Sequence, residues 1–196
     1  MFIKICGLTS DDAVQAAVSA GADALGFVFA DSSRRVTPDQ AARLCRDLPA
    51  DLIRVAVMRH PTAEEWQTVR ERFAPHWVQT EAKDLEALDL PADCRPLPVY
   101  RNGQITPGKL PARMLFEGMT SGSGQVADWR EATSIAAETQ MILAGGLDAD
   151  NVADAIHTVD PWGIDVSSGV EGKPAEKDPE KIRLFIARAR AAEKRQ

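Results

Sequence analysis

The sequence predicts an α/β chain: a single (β/α)8 barrel over 1–196, with the fifth helix missing or replaced by a loop. Three observations carry this. Short apolar runs alternate with segments of helical period, and strict alternation requires a parallel sheet because parallel neighbours need a crossover. Eight such runs fit a closed barrel better than an open sheet. The chain of 196 residues is short for that fold, and the connection at 102–112, NGQITPGKLPA, holds too many glycines and prolines for a helix. The rival is an open doubly wound sheet, which would have to place the proline-bearing fifth strand at an edge.

In chain order, FIKIC (2–6) is the first strand and 11–21 the first helix, capped by Ser10 or Asp11 and ended by Gly21. The second strand is 22–30. Its helix is 37–48, with Thr37 as cap and Pro38 in the first turn. The third strand is 52–58 and its helix 61–73. The fourth strand, HWVQTE (76–81), leads to little more than one helical turn at 83–88. RPLPVYR (95–101) is strand five, RMLFEG (113–118) strand six, SGSGQVAD (121–128) a glycine-rich loop and 129–138 a helix. QMILAGG (140–146) is strand seven, 149–159 its helix, WGIDVSSG (162–169) strand eight and 178–195 the closing helix. The stretch 171–180 reads as a solvated loop.

Composition narrows the function. A net charge of -6 argues against a nucleic-acid partner, which is met by a basic patch. No run of about 18 apolar residues spans a membrane, and no basic-then-apolar leader marks a secreted chain. Cys6, Cys45 and Cys94 are an odd, scattered set without metal or redox spacing. The expectation is a reduced, cytosolic protein.

Alternation along the strands orients side chains. Lys4 and Cys6 are expected inside the barrel with Ile3 and Ile5 outside; Asp165 and Ser167 inside; Arg54 and Ala56 inside; Gln79 and Glu81 inside. Strands one and eight are neighbours in a closed barrel, so Lys4 and Asp165 can pair. Cys6 ends strand one, at the face where barrel enzymes keep their sites. Two readings stand for it: a small buried hydrophobe, or a reactive thiol beside Gly7, which leaves a ligand room. The glycines of LAGGL and the Ser-Ser-Gly of DVSSGV follow strands seven and eight, where barrels often bind phosphate. The SSRR segment (32–35) is either a solvated loop or a carboxylate clamp. Asp128 is either a helix cap or a proton donor at the mouth.

KICG, GADALGFVF, SGSG before DW, LAGGLDADNV and GIDVSSGVEGKPAEKD, taken in order, resemble the phosphoribosylanthranilate isomerase family of tryptophan biosynthesis. The likeness is close up to about residue 45 and from about 121 onward. It implies a cytoplasmic enzyme catalysing an Amadori rearrangement of a sugar phosphate, without metal or cofactor, as a monomer or homodimer. It further implies Cys6 as general base, Asp128 as general acid, Arg35 as holder of the substrate carboxylate, and Gly145, Gly146, Ser167, Ser168 and Gly169 in substrate binding; Gly7, read from its place beside the thiol, joins them as a substrate-binding position. The chain departs from the family at Met58-Arg59-His60, at Glu81 in place of a histidine, and at Glu117 in place of an aspartate. Two other readings compete. The histidine-pathway enzyme of the same chemistry resembles a two-aspartate design, against which Cys6 speaks. A silent phosphate-binding barrel would have no chemical need for both Cys6 and Asp128.

Overall fold

The computed structural model describes residues 1–103, 105, 110–118 and 129–193. Eight parallel strands close into a barrel in sequence order: β1 (Phe2–Cys6), β2 (Ala24–Val28), β3 (Ile53–Val57), β4 (Trp77–Glu81), β5 (Arg95–Arg101), β6 (Arg113–Glu117), β7 (Gln140–Leu143) and β8 (Gly163–Val166). Closure is made by β1 against β8, with Lys4 opposite Asp165. Around the barrel lie α1 (Asp11–Ser19), α2 (Pro38–Leu44), α3 (Ala63–Phe73), the short α4 (Ala82–Leu85), α5 (Trp129–Ala136), α6 (Val152–Val159) and α7 (Pro179–Ala192). Among the described residues no helix lies between β5 and β6.

Local chemistry explains the helix starts. Ser10, not Asp11, caps α1, accepting from the Ala13 N–H. Thr37 with Gln40, and Thr62 with Glu65, form reciprocal capping boxes on α2 and α3. Asp178 caps α7 ahead of Pro179. Helix α6 starts at Val152 rather than 149, because the Asp148 carboxylate draws the Asp150 and Asn151 N–H groups into a turn. The prolines of β5 are tolerated inside a closed sheet for a directional reason. Arg95 donates its N–H to the carbonyl of His76, the residue before β4, so the missing donors of Pro96 and Pro98 face β6. Pairing with β6 starts only at Val99.

The segment read as a solvated loop after β8 holds two further strands, β9 (Glu171–Lys173) and β10 (Glu176–Lys177), in an antiparallel hairpin. Its turn uses Ala175 in the left-handed region at φ 66°. A three-residue strand of charged residues carries no hydrophobic alternation, so the sequence pattern could not mark it.

Ile3 and Ile5 pack outward with Leu25, Phe27, Phe116 and Phe185 in the layer between barrel and helices. Each such fully buried side chain contributes roughly 1.5–3 kcal/mol. Inside the barrel lie Phe2, Ala24, Val55, Trp77, Leu97, Leu115 and Ile142. Arg54 and Ala56 do not point inward as expected; Val55 takes the interior and Ala56 the outer layer. Both faces of β3 are apolar apart from Arg54, so alternation alone could not set the phase. Arg54 instead bonds Ala74 O and His76 at the foot of the barrel. There Phe2 stacks on Trp77 and Trp162, and the Arg113 guanidinium lies 4.5 and 4.7 Å from the two tryptophan rings.

Higher in the barrel, Lys4 Nζ donates to Asp165 Oδ1 at 2.7 Å, with both side chains buried. Lys4→Met should lower unfolding stability by about 3–5 kcal/mol in urea titration, because it leaves a buried carboxylate unpaired. Adding Asp165→Leu should recover much of that loss.

Candidate active site

A cavity opens at the carboxyl ends of the strands. Its floor is Cys6. The thiol lies above the Lys4–Asp165 pair, and Gly26 on β2 stands opposite it in register. A Cβ on Gly26 would fall 3.0 Å from Cys6 Sγ and 3.1 Å from Lys4 Nζ, so the ammonium and thiol fit only because this inward position has no side chain. The sequence reading missed Gly26, although its inward phase on strand two was the available signal.

Burial raises the Cys6 pKa above its ordinary 9.0, outweighing the attraction of Lys4. Burial thus favours the thiol over the thiolate. Burial alone would lower the Lys4 pKa, but Asp165 and Cys6 reverse this and raise it, so Lys4 is a fixed cation. Burial lifts Cys45 to about 12 and Cys94 to about 11, and both lie in the outer layer away from the cavity.

One wall is built from β1, β2 and β8. Arg34 crosses over Gly7: a Cβ there would sit 2.7 Å from Arg34 Cδ and 3.2 Å from Ser167 Oγ. The space beside Gly7 is thus taken by Arg34. Arg34 Nε and Nη2 donate to the two oxygens of Glu171 at 2.6 and 3.0 Å. Lys177 donates to the same Glu171 and to Ser167. Burial would raise the Glu171 carboxyl, but hydrogen bonds from Arg34 and Lys177 bring it down to about 2. Arg34 lines the cavity. Arg35 does not: it is exposed, bridges to Val28 and borders a separate depression beside Phe29 and Pro38.

Gly145, Gly146, Ser167 and Ser168 line the cavity at the ends of β7 and β8. Gly169 joins these loops from behind, where a Cβ would come 2.0 Å from Leu147 O. Asn151 holds the first loop by donating to Gly146 O at 2.7 Å. Asp128 and the SGSG loop lie outside the described residues.

The opposite wall carries Glu81, Arg101 and Glu117 from the ends of β4, β5 and β6. Arg101 donates to both oxygens of Glu81 at 2.6 and 2.7 Å and pairs with Glu117 at 2.8 Å. The hydrogen bond from Arg101 lowers the Glu81 pKa despite burial. Gln79 projects between these groups and the floor, and its buried Oε1 has no hydrogen-bond partner. Arg59 lies at the rim. His60 turns away to bond Asp84.

The family model described as N-(5'phosphoribosyl)anthranilate (PRA) isomerase matches residues 3–188. The chain belongs to that isomerase family. A relative from Streptococcus pneumoniae named N-(5'-phosphoribosyl)anthranilate isomerase is 40% identical over 191 residues, 96% of this chain and 95% of its own. The crystal structure of the phosphoribosyl anthranilate isomerase of Thermus thermophilus superposes with a TM-score of 0.85 at 28% identity, covering 98% of this chain and 100% of that one. Another family structure, solved in complex with reduced 1-(o-carboxyphenylamino)-1-deoxyribulose 5-phosphate, has a TM-score of 0.77 at 26% identity and covers 97% and 99%.

The midpoint of Cys6 ionisation should lie above the ordinary 9.0, read as the ultraviolet thiolate absorbance of the native protein minus that of Cys6→Ala. A Cys6 thiol titrating near pH 7 would contradict the burial argument.

Proposed function

We infer that this chain catalyses the Amadori rearrangement of N-(5-phosphoribosyl)anthranilate to 1-(2-carboxyphenylamino)-1-deoxyribulose 5-phosphate in tryptophan biosynthesis. The observation that carries this is a thiol at the carboxyl end of β1, facing two phosphate-type loops across one cavity, in a chain of this family. The family structure bound to a reduced product analogue supports a ligand with one phosphate and one carboxylate.

In this reading the phosphate sits against Gly145, Gly146, Ser167 and Ser168. An acid protonates the furanose oxygen, and the ring C–O bond breaks as the anilino nitrogen forms a Schiff base. Asp128, assigned by resemblance, fills that role just before α5. The base then takes the C2′ proton, and the electron pair moves into a C1′–C2′ enolamine. Reprotonation at C1′, with loss of the hydroxyl proton, gives the ketone. Cys6 is the base. Its raised pKa is compatible, because the cationic Schiff base forms beside the thiol and favours the thiolate. Lys4 adds to this from below.

Arg34 rather than Arg35 is the arginine we assign to the substrate carboxylate. Glu171 occupies its Nε and Nη2, which leaves Nη1 for the ligand. Gln79 Oε1 awaits a donor, and a ribose hydroxyl or the anilino N–H supplies one.

The test is turnover followed by loss of anthranilate fluorescence. Cys6→Ala and Asp128→Asn should each lower kcat by about 10²-fold or more. No turnover by folded wild-type protein would overturn the reading. In the same assay Arg34→Ala should raise KM about tenfold or more, while Arg35→Ala stays within about threefold of wild type; the reverse order would return the role to Arg35.

A further inference from the structure

The hairpin β9–β10 places Glu171 and Lys177 opposite one another in register, so their side chains meet. Lys177 is fully buried, which leaves its ammonium no water. An ammonium has three donors and no acceptor. Lys177 directs them to Glu171 Oε1 at 2.7 Å, Ser167 O at 2.9 Å and Ser167 Oγ at 3.2 Å.

The third contact has a chemical consequence. Ser167 Oγ accepts from Lys177, so its single hydroxyl hydrogen must point elsewhere. Ser167 faces the cavity and lies beside Gly7. We propose that Lys177, held by Glu171, is a positioning residue that fixes Ser167 as a hydrogen-bond donor to the substrate's phosphate. The proposal rests on the isomerase reading for the identity of the ligand, but its chemistry requires only a phosphate group in this cavity.

The electrostatics run the same way. Glu171 neutralises one of two cations, Arg34 and Lys177, so the cluster keeps one net positive charge on the wall that meets the anion. Glu171 is itself fixed by the hairpin: the Ala175 N–H donates to its Oε2, and Lys181 Nζ donates to its carbonyl. Segment 171–177 thereby serves as a bracket for the loop after β8. Lys177 also lowers the Cys6 pKa through its charge. A change in kcat alone would therefore not report on Ser167, whereas phosphate affinity does.

A double-mutant cycle separates the routes. Wild type, Ser167→Ala, Lys177→Met and the double variant are compared for inorganic phosphate binding by calorimetry and for substrate KM. Each single variant should weaken phosphate binding and raise KM about tenfold, as expected for one hydrogen bond to a charged group. In the Ser167→Ala background, Lys177→Met should cost clearly less than it does in wild type, and the loss that remains is that of its charge. Should Lys177→Met fail to fold, Lys177→Ala takes its place in the cycle, with the same coupling expected. Additive losses would overturn the proposal and leave the isomerase reading standing. Unchanged phosphate binding in Ser167→Ala would overturn it as well. Phosphate binding needs no turnover, so a wild type that shows the coupled cycle but no isomerisation would sink the isomerase reading alone.

Discussion

The Lys4–Asp165 pair sits where the first and last strands meet, and the site is built upward from it. An ion pair inside a barrel carries a large desolvation cost, which only short, well-directed contacts offset. Here the partners are opposite in register, so no side-chain strain is needed to bring them together. Gly26 is required because the pair and the thiol above it leave no room for a Cβ. The charge nearest the Cys6 thiol is thus set by a feature of barrel closure.

Above this floor the mouth divides by charge. On the β1–β2–β8 side one carboxylate, Glu171, ties two cations and leaves a net positive wall. On the β4–β6 side two carboxylates, Glu81 and Glu117, enclose one cation, Arg101. A ligand with a phosphate at one end is oriented by that asymmetry before any specific contact forms. The second wall is also where the chain departs from the pattern of the family it resembles. A histidine replaced by Glu81 is answered by the Arg101 that grips it. Cys6 and the loops after β7 and β8 lie on one side of the mouth, and the Glu81–Arg101–Glu117 cluster on the other.

The foot of the barrel has a different task. Phe2, Trp77, Trp162 and Arg113 plug it with stacked rings and a guanidinium. Nothing there reaches the cavity. This division lets the mouth hold buried charge at a cost in stability, since the foot and the outer helical layer supply apolar burial.

Strand order, the inward placement of Lys4, Cys6, Gln79 and Asp165, and the glycine loops after strands seven and eight were legible in the sequence, because alternation and turn chemistry act locally. The phase of strand three was not, since Ile53, Val55 and Val57 are as apolar as their alternates allow. Nor was the choice between Arg34 and Arg35, adjacent residues in one loop whose identical side chains differ only in which way the loop turns. The β9–β10 hairpin escaped notice because its strands are charged and very short. By itself, the sequence determined the barrel, the thiol at its mouth and the glycine-bearing loops after strands seven and eight, through short-range patterns of two to four residues. Only the tertiary structure decided which arginine meets the cavity, that Glu171 joins Arg34 to Lys177, and that Gly26 makes room for the buried charge. Those contacts unite residues up to 137 positions apart, and no local pattern encodes them.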